Sequence, residues 1–249
     1  MNAVQRQARQ TVGFDDRVAH ALHVLADAAR RHPGAIVQAT SLGAEDMVLT
    51  DLIARHGLPI ALATLDTGKL HPQTLAMLPR IEQHYGLRVQ RFEPAAEQAV
   101  AFVARNGQDA MHRSIALRKA CCALRKLEPL DRLLAACSAW VTGLRREQSG
   151  DRGHVAFSEP DAQGREKVKP LADWSWADVW HYIGGHAVPY NALHDDFFPS
   201  IGCTPCTRAV VPGEDFRAGR WWCEHKTAKE CGLHLHVPVE AAASEAHSP

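Results

Sequence analysis

The sequence lacks a long apolar run, an excess of charge of either sign, and internal repeats. Its 249 residues include 28 lysines and arginines and 28 aspartates and glutamates, so the formal net charge is 0. This balance argues against a broad basic surface for nucleic acid. Without an apolar run of about 18 residues, no membrane-spanning helix is expected. The N-terminal MNAVQRQARQ also lacks the apolar core of a signal peptide. We therefore expect a cytoplasmic protein with reduced cysteines.

Short apolar runs alternate with amphipathic helical patterns through the first part of the chain. Four of these runs predict strands, at residues 35–40, 59–66, 87–92 and 138–143. Helical patterns lie before and between them, at 15–30, 47–57, 73–86, 96–107 and 114–136, and Pro79 is expected to kink or split the third of these helices. Strands that alternate with helices predict βαβ units and a doubly wound, mostly parallel α/β sheet.

The pattern changes beyond about residue 150. A hairpin is predicted around Gln163-Gly164, and a helix is predicted to begin after Ser175, with Asp178 completing the cap three residues later. The remainder is rich in glycine, proline and cysteine. We therefore expect an α/β domain over 1–210 and a cysteine-containing C-terminal segment over 211–249.

Three loops follow predicted strands and should meet at the same edge of the sheet. They are SLGAED (41–46), LDTG (65–68) and TGLRREQS (142–149). Ser41 and Gly43 would let backbone N–H groups approach an anion at a helix N-terminus, and Arg145 suits a phosphate or an adenine ring. The first loop lacks the GKS of the common P-loop. A capped turn and a solvated loop remain alternatives, but the loops together favour a nucleotide site.

Four of the seven cysteines form a pair of short motifs. Cys121 and Cys122 are adjacent and surrounded by basic residues, whereas Cys203 and Cys206 form a CxxC. Four thiolates suit zinc or an iron–sulfur cluster. Adjacent cysteines bind one tetrahedral ion awkwardly, but each can bind a separate iron of a [4Fe–4S] cube, whose negative charge Lys126 would offset. Two core cysteines on a helix are the alternative for the adjacent pair.

The other three cysteines have different settings. Cys137 and Cys223 lie among small or aromatic residues, which favours packing roles. Cys231, in KECGLH, lies in a polar segment near basic residues that would lower its pKa. Upstream, Arg217 and Arg220 could converge on an anionic substrate. The residues alone leave Cys231 as either a nucleophile or an inert exposed thiol.

Several motifs taken together resemble the assimilatory sulfonucleotide reductases, and most of all the cluster-containing adenylyl-sulfate (APS) reductases of bacteria. The resemblance covers residues 36–236. It is carried by SLGAEDMV, LDTGKLHP, CC followed by LRK, TGLRREQS, PYNALHDDFFPSIGCTPCTR, GEDFRAGRWW and KECGLH. The combination of CC, CxxC and ECGLH is far more specific than any single motif.

The resemblance implies an adenine-nucleotide α-hydrolase-like fold and a thioredoxin-dependent reduction of APS to sulfite and AMP, as in sulfate assimilation. Cys231 would attack the sulfur of APS and form an S-sulfocysteine, which thioredoxin, or a glutaredoxin-like donor, would cleave. A [4Fe–4S] cluster would be held by Cys121, Cys122, Cys203 and Cys206. The nucleotide would be bound by Ser41, Gly43, Asp66, Thr67, Gly68 and Arg145. The phosphosulfate would be bound by Lys126, Arg217 and Arg220.

Three other functions remain open at this point. A phosphoadenylyl-sulfate (PAPS) reductase, or one with dual use, would have the same nucleophile, although PAPS-specific relatives generally lack the cluster cysteines. An iron–sulfur enzyme of RNA thiolation is disfavoured by the neutral charge. A zinc-stabilised binding module is the non-enzymatic alternative. The sequence leaves open whether the chain forms a homo-oligomer.

Overall fold

The computed structural model describes residues 1–148 and 155–222. Ten α-helices are found there. The first five are α1 (Ala3–Gln7), α2 (Phe14–Arg31), α3 (Ala44–Arg55), α4 (Pro72–Leu75) and α5 (Met77–Tyr85). The others are α6 (Ala96–Asn106), α7 (Ala110–Arg113), α8 (Ile115–Cys122), α9 (Glu128–Leu134) and α10 (Trp176–His186).

Six strands form one sheet, in the spatial order β3-β2-β1-β4-β6-β5. They are β1 (Ile36–Thr40), β2 (Ala61–Leu65), β3 (Val89–Phe92), β4 (Ala139–Val141), β5 (Ser158–Pro160) and β6 (Glu166–Val168). Every neighbouring pair is parallel except β5 and β6, which are antiparallel. The doubly wound, mostly parallel sheet and the hairpin around Gly164 are thus confirmed.

Both faces of the sheet are covered, as the continuous apolar character of its strands requires. Within β1, Ile36 belongs to the larger core, which includes residues of α2, α3, α5 and α10. Its neighbour Val37 belongs to the smaller core on the other face, with residues of α9. Because successive side chains of a strand point to opposite faces, one short run supplies both cores.

Most helix boundaries match the predicted patterns. Ser175 caps α10 by accepting from the backbone N–H of Asp178, whose carboxylate accepts from Ser175 in return, so the predicted capping box is confirmed. The predicted interruption near Pro79 falls instead at Ala76, between α4 and α5. Pro79 lies in the first turn of α5, where the missing N–H of proline leaves no helical hydrogen bond unmade.

The long helical stretch predicted over 114–136 contains a short π-helical turn, Ala123–Leu127, between α8 and α9. Arg125 and Lys126 lie in this turn, and such turns often occur at functional sites. Among the described helices, none is long and apolar enough to cross a membrane. The boundary proposed between residues 210 and 211 stays a prediction, because most of the segment that follows lies outside the described residues.

Candidate functional site

The three predicted loops meet at the carboxyl edge of the sheet and surround one pocket. Its volume is about 190 Å³. Ser41, Thr67 and Lys126, which were predicted to bind substrate, line it. Part of its wall is formed by Ile201 and Gly202, which directly precede Cys203 in the chain. A larger groove of about 710 Å³ elsewhere is lined by none of the predicted site residues.

Asp46 joins two of the loops around the pocket. One carboxylate oxygen accepts hydrogen bonds from the backbone N–H and the hydroxyl of Ser41, each at 2.6 Å. The other accepts from the backbone N–H of Gly143 at 2.9 Å. Burial raises the pKa of Asp46, and the hydrogen bonds from Ser41 oppose that shift. Asp46 therefore fixes the loop after β1 against the loop after β4.

Gly143 is required where these loops approach. A Cβ atom at this position would lie 2.7 Å from the Cβ of Glu45 and 2.8 Å from a carboxylate oxygen of Asp46. Real Cβ atoms do not approach heavy atoms so closely, so any side chain would separate the two loops.

Arg145 is buried beside the pocket and does not line it. Its side chain is 1% exposed and contacts Glu45 at 3.0 Å and Glu147 at 2.5 Å. It also donates to the backbone oxygen of Trp174 at 3.2 Å and lies over the ring of Trp176. Glu45 lines the pocket, as does Gln148, which donates to Glu45. Arg145 thus orients pocket residues, and its predicted direct contact with nucleotide stays a prediction.

The LDTG loop connects this pocket to the cysteines. Asp66 is turned away from the pocket and accepts from the backbone N–H of Gly68 and from Arg91. Thr67 lines the pocket, and its hydroxyl lies 3.2 Å from the Sγ of Cys203. Gly68 has a φ of 66°, a left-handed conformation that glycine adopts without strain.

The four predicted ligand cysteines line a second pocket together. Cys121 and Cys122, at the end of α8, face the loop that carries Cys203 and Cys206. The loop with Cys203 and Cys206 is joined to the LDTG loop by a hydrogen bond from the N–H of Thr204 to the oxygen of Lys69 at 2.8 Å, and to α7, which precedes α8, by one between His112 and the oxygen of Pro205 at 2.6 Å. Four cations also line this pocket: Lys69, Arg118, Arg125 and Lys126.

The electrostatics of this pocket couple the thiols to one another. The pKa of Cys206 is raised to about 11, chiefly by burial and also by the charge of Cys203, whereas Lys126 opposes the rise. Burial also raises the pKa of Cys121, which Arg125 opposes and Cys203 reinforces. The thiols of Cys121 and Cys206 therefore favour their protonated forms, and they would become thiolates on binding a metal.

The donor set of the second pocket has the chemical character that an iron–sulfur cluster would require. Soft sulfur donors and nearby cations suit a cluster whose net charge is negative. Within residues 1–148 and 155–222, no three histidines, cysteines or carboxylates form a group that could hold one metal ion. The four thiols thus share a pocket without converging as ligands of one ion.

Three guanidinium groups surround the ring of Trp221. Arg220, Arg118 and Arg217 lie 4.7, 4.8 and 5.7 Å from its centroid. Arg220 also donates to the oxygen of Ile201 at 3.0 Å, directly behind the pocket wall. Trp221 has a φ of 41°, which is rare for a bulky residue, and its N–H donates to the oxygen of Cys206. Two predicted phosphosulfate ligands thus share one aromatic ring, and one of them, Arg220, also contacts the segment that lines the first pocket.

Several residues that line the first pocket were not predicted from the sequence. Trp140, Thr142, Gln148, Ile201 and Gly202 line the nucleotide-side pocket without having been predicted. The end of the fourth strand gave a signal for Thr142, and proximity to the CxxC motif gave one for Ile201 and Gly202. Gly43 is not among the lining residues, although it caps α3. Cys223 and Cys231 lie outside the described residues, so the role of Cys231 stays a prediction.

Comparison with known proteins gives a consistent result. The model of the phosphoadenosine phosphosulfate reductase domain matches residues 35–209. An adenosine 5'-phosphosulfate reductase of Allochromatium vinosum is 53% identical over 219 residues, which cover 88% of this chain and 85% of that protein. The protein of the same name from Burkholderia cepacia is 48% identical, over 90% of this chain and 91% of its own length.

Solved structures agree on the architecture. A phosphoadenylyl-sulfate reductase from Candida auris, in a phosphate complex, is 26% identical, has a TM-score of 0.64, and is matched over 79% of this chain and 97% of its own. An FMN adenylyltransferase from Candida glabrata has a TM-score of 0.54 at 15% identity, over 92% of this chain and 79% of that one. The second similarity concerns the fold alone.

Proposed function

This chain belongs to the phosphoadenosine phosphosulfate reductase family, and we propose that it reduces adenosine 5'-phosphosulfate to sulfite and AMP. The names of its relatives from Allochromatium vinosum and Burkholderia cepacia support APS as the substrate. Such an enzyme is an oxidoreductase acting on sulfur and serves sulfate assimilation.

The proposal depends above all on the position of Lys126. Lys126 lines both the pocket at the strand ends and the pocket of the four cysteines. A nucleotide bound at the strand ends would direct its phosphosulfate toward this shared ammonium group, because anions at parallel sheets bind beyond the carboxyl ends of the strands. The reacting sulfur would then lie where cations are concentrated.

The nucleotide would be bound by the residues around the first pocket. Ser41 and Gly43 would offer a hydroxyl and a backbone N–H at the N-terminus of α3, and Thr67 would close the opposite side. Asp66 and Gly68 would act by shaping the loop that carries Thr67. Arg145 would act by holding Glu45 and Gln148 on the pocket wall.

The four cysteines of the second pocket, Cys121, Cys122, Cys203 and Cys206, would hold a [4Fe–4S] cluster. Bound there, the cluster would supply a fixed, charged group that shapes the site. Lys69, Arg118, Arg125 and Lys126, which line the pocket, support this because they would offset its negative charge.

The chemistry would proceed by two thiol exchanges. The thiolate of Cys231 would attack the sulfur of APS, so that an S–S bond forms and the S–O bond to phosphate breaks, with AMP leaving with the electron pair. Lys126, Arg217 and Arg220 would stabilise the charge that develops on the phosphate. The cations would also favour the thiolate of Cys231.

In the second exchange, a thiolate of reduced thioredoxin would attack the Sγ of Cys231 and expel sulfite. The second thioredoxin thiol would then resolve the mixed disulfide, restoring Cys231 and leaving oxidised thioredoxin. The two electrons for the reduction would thus come from the thioredoxin dithiol. A cytoplasmic location, where thioredoxin is kept reduced, fits this requirement.

The test is a substrate comparison with purified, iron-loaded protein and reduced thioredoxin. Sulfite and AMP should form from APS, and a value of kcat/KM at least tenfold lower is expected with PAPS. Comparable turnover of both nucleotides would indicate dual use, whereas turnover of PAPS alone would overturn APS as the substrate. Size-exclusion chromatography with light scattering would show whether the active form is a homo-oligomer.

A further inference from the structure

His194 lines neither pocket, but it contacts two segments whose neighbouring residues line the first pocket. It ends a short 3-10 turn, Ala192–His194, just before the segment that leads to the CxxC motif. Its side chain is buried, and its ring packs edge-on against Trp180 and Trp176 at centroid distances of 5.2 and 5.9 Å. Both tryptophans belong to α10, so the ring has a fixed orientation.

Each ring nitrogen of His194 has a backbone partner. The backbone N–H of Ala44 donates to Nε2 at 3.2 Å, and Nδ1 lies 2.8 Å from the backbone oxygen of Phe198. Since a carbonyl can only accept, Nδ1 carries the proton and Nε2 is the acceptor. Both hydrogen bonds are therefore satisfied by one neutral tautomer.

The hydrogen bond from Ala44 to His194 lies at the start of α3. Ala44 is the first residue of α3, and the N-cap Gly43 has no side chain to accept a hydrogen bond from the first turn. His194 supplies such an acceptor from 150 residues away. It thereby fixes the start of α3, which follows the loop with Ser41 and carries Glu45 and Asp46.

The hydrogen bond from His194 to Phe198 fixes the segment that leads to the CxxC motif. Phe198 is followed closely by Ile201 and Gly202, which form the pocket wall, and then by Cys203. The N–H of Phe198 also donates to the oxygen of Leu193, which closes this turn on itself. One imidazole thus spans the gap between the first turn of α3 and the wall on the cysteine side.

We propose that His194 is a positioning residue that sets the separation between the nucleotide loop and the cysteine-bearing wall by joining Ala44 to Phe198. The inference rests on the proposed function, because it concerns the nucleotide site of that reaction. Burial lowers the pKa of His194 to about 4, against the opposing charges of Glu45 and Asp195, so the ring stays neutral at physiological pH. The acceptor on Nε2 is then retained under the conditions of catalysis.

Three substitutions separate hydrogen bonding from packing. His194→Phe keeps a ring of similar shape but loses both bonds. A glutamine amide can reach the position of Nε2, so His194→Gln can still accept from Ala44, whereas the shorter His194→Asn can only replace the bond to Phe198. A residue that acts through packing alone would tolerate phenylalanine best, whereas a residue that acts through Ala44 would tolerate glutamine best.

The readouts are AMP affinity, by calorimetric titration, and backbone amide exchange in the first turn of α3. We expect His194→Phe and His194→Asn to raise the Kd for AMP about tenfold, the loss expected for about 1.4 kcal/mol, and to speed exchange at Ala44. His194→Gln should stay within about twofold of the wild type in both. Wild-type behaviour of the phenylalanine variant, or equal loss in the phenylalanine and glutamine variants, would overturn the proposal.

A variant that does not fold and a wild type that binds no AMP also give a clear result. If His194→Phe does not fold, the comparison of His194→Asn with His194→Gln decides the proposal by the same criteria. If the wild type binds no AMP, the proposed function fails. The exchange rate at Ala44 still tests the contact made by His194, because it requires no ligand.

Discussion

The two halves of the site are built in different ways. The nucleotide half uses loops that leave parallel strands, and hydrogen bonds to the carboxylate of Asp46 hold those loops together. The cysteine half uses a helix end and an irregular segment, and its pocket is lined by four thiols and four cations. Hydrogen bonds and ion pairs between loop residues hold the first half together, whereas the second half is lined by thiols and cations that would face a bound group.

Because the two halves are built differently, substitutions in each half should impair different properties of the protein. Backbone-held loops depend on close packing, so damage there should appear as lost stability and weaker nucleotide binding. A charged pocket around thiols depends on what it binds, so damage there should appear as lost iron and lost chemistry. Substitutions that affect one set of properties without the other test whether the halves are distinct.

The largest effect is expected from removing a cysteine of the charged pocket. Cys203→Ser should lose bound iron and all reductase activity, because one of four sulfur donors is gone, while AMP binding persists. Iron per chain, sulfite formation and AMP titration measure these properties. Cys137→Ser is the matched control, since Cys137 packs against the smaller core near Leu133 and Leu134. Full iron and activity in Cys203→Ser would contradict this account.

The nucleotide half should be most sensitive at Arg145. Arg145→Ala should lower the free energy of unfolding by about 3 kcal/mol, because it leaves the largely buried carboxylate of Glu45 without its partner, whereas Glu147 is half-exposed and can be solvated. Urea denaturation measures this change, and iron content in the folded fraction should not change. Arg146→Ala should have a smaller effect, since among the described residues the side chain of Arg146 donates to the oxygen of Val155 beside the ring of Phe157 and pairs with no buried carboxylate there. Normal stability with weakened AMP binding in Arg145→Ala would instead indicate a direct nucleotide ligand.

His194, which joins the start of α3 to the segment before the CxxC motif, should make the free energy of unfolding depend on pH. The pKa of His194 is lowered from 6.5 to about 4, so the unfolded chain binds more protons than the folded chain between these values. The stabilisation is therefore complete above pH 6.5 and is lost as the pH falls toward 4. Between pH 7.5 and 5 the wild type should lose about 2 kcal/mol more than His194→Gln, as integration of this linkage gives. If the wild type and His194→Gln lose the same free energy of unfolding, the pKa of His194 is not lowered in the folded protein.

The smallest effect is expected where Arg220 packs behind the pocket wall. In Gly202→Ala the new Cβ would lie 2.5 Å from a guanidinium nitrogen of Arg220, which must move. We expect the KM for APS to rise about threefold to tenfold, equivalent to about 1 kcal/mol, with little change in unfolding. Gly185→Ala, with open space around its Cβ, should leave KM unchanged and stabilise α10 by up to about 1 kcal/mol. An unchanged KM in Gly202→Ala would remove Arg220 from the phosphosulfate site.

Local sequence patterns predicted the sheet well, because strand and helix periodicities are properties of neighbouring residues. The capping box at Ser175 and the turn at Gly164 were predictable for the same reason. The break at Ala76 was not, since Pro79 is tolerated in the first turn of a helix. The division of residues 114–136 by a π-helical turn also left no local signal.

The site was predictable only in part. Chain order after parallel strands brought Ser41 and Thr67 to the correct edge of the sheet. It could not show that Arg145 is enclosed by Glu45 and Glu147, because residues 100 positions apart meet there only through tertiary packing. His194 escaped prediction for the same reason, since its partner Ala44 is 150 residues away.

The most direct test of the central claim is a trapping experiment with sulfur-labelled APS. The iron-loaded wild type is mixed with the labelled nucleotide in the absence of thioredoxin, and protein-bound label is measured. About one label per chain should be retained and then released as sulfite when reduced thioredoxin is added, while Cys231→Ser should retain none. Equal label on Cys231→Ser, or wild-type label that thioredoxin cannot release, would contradict the account.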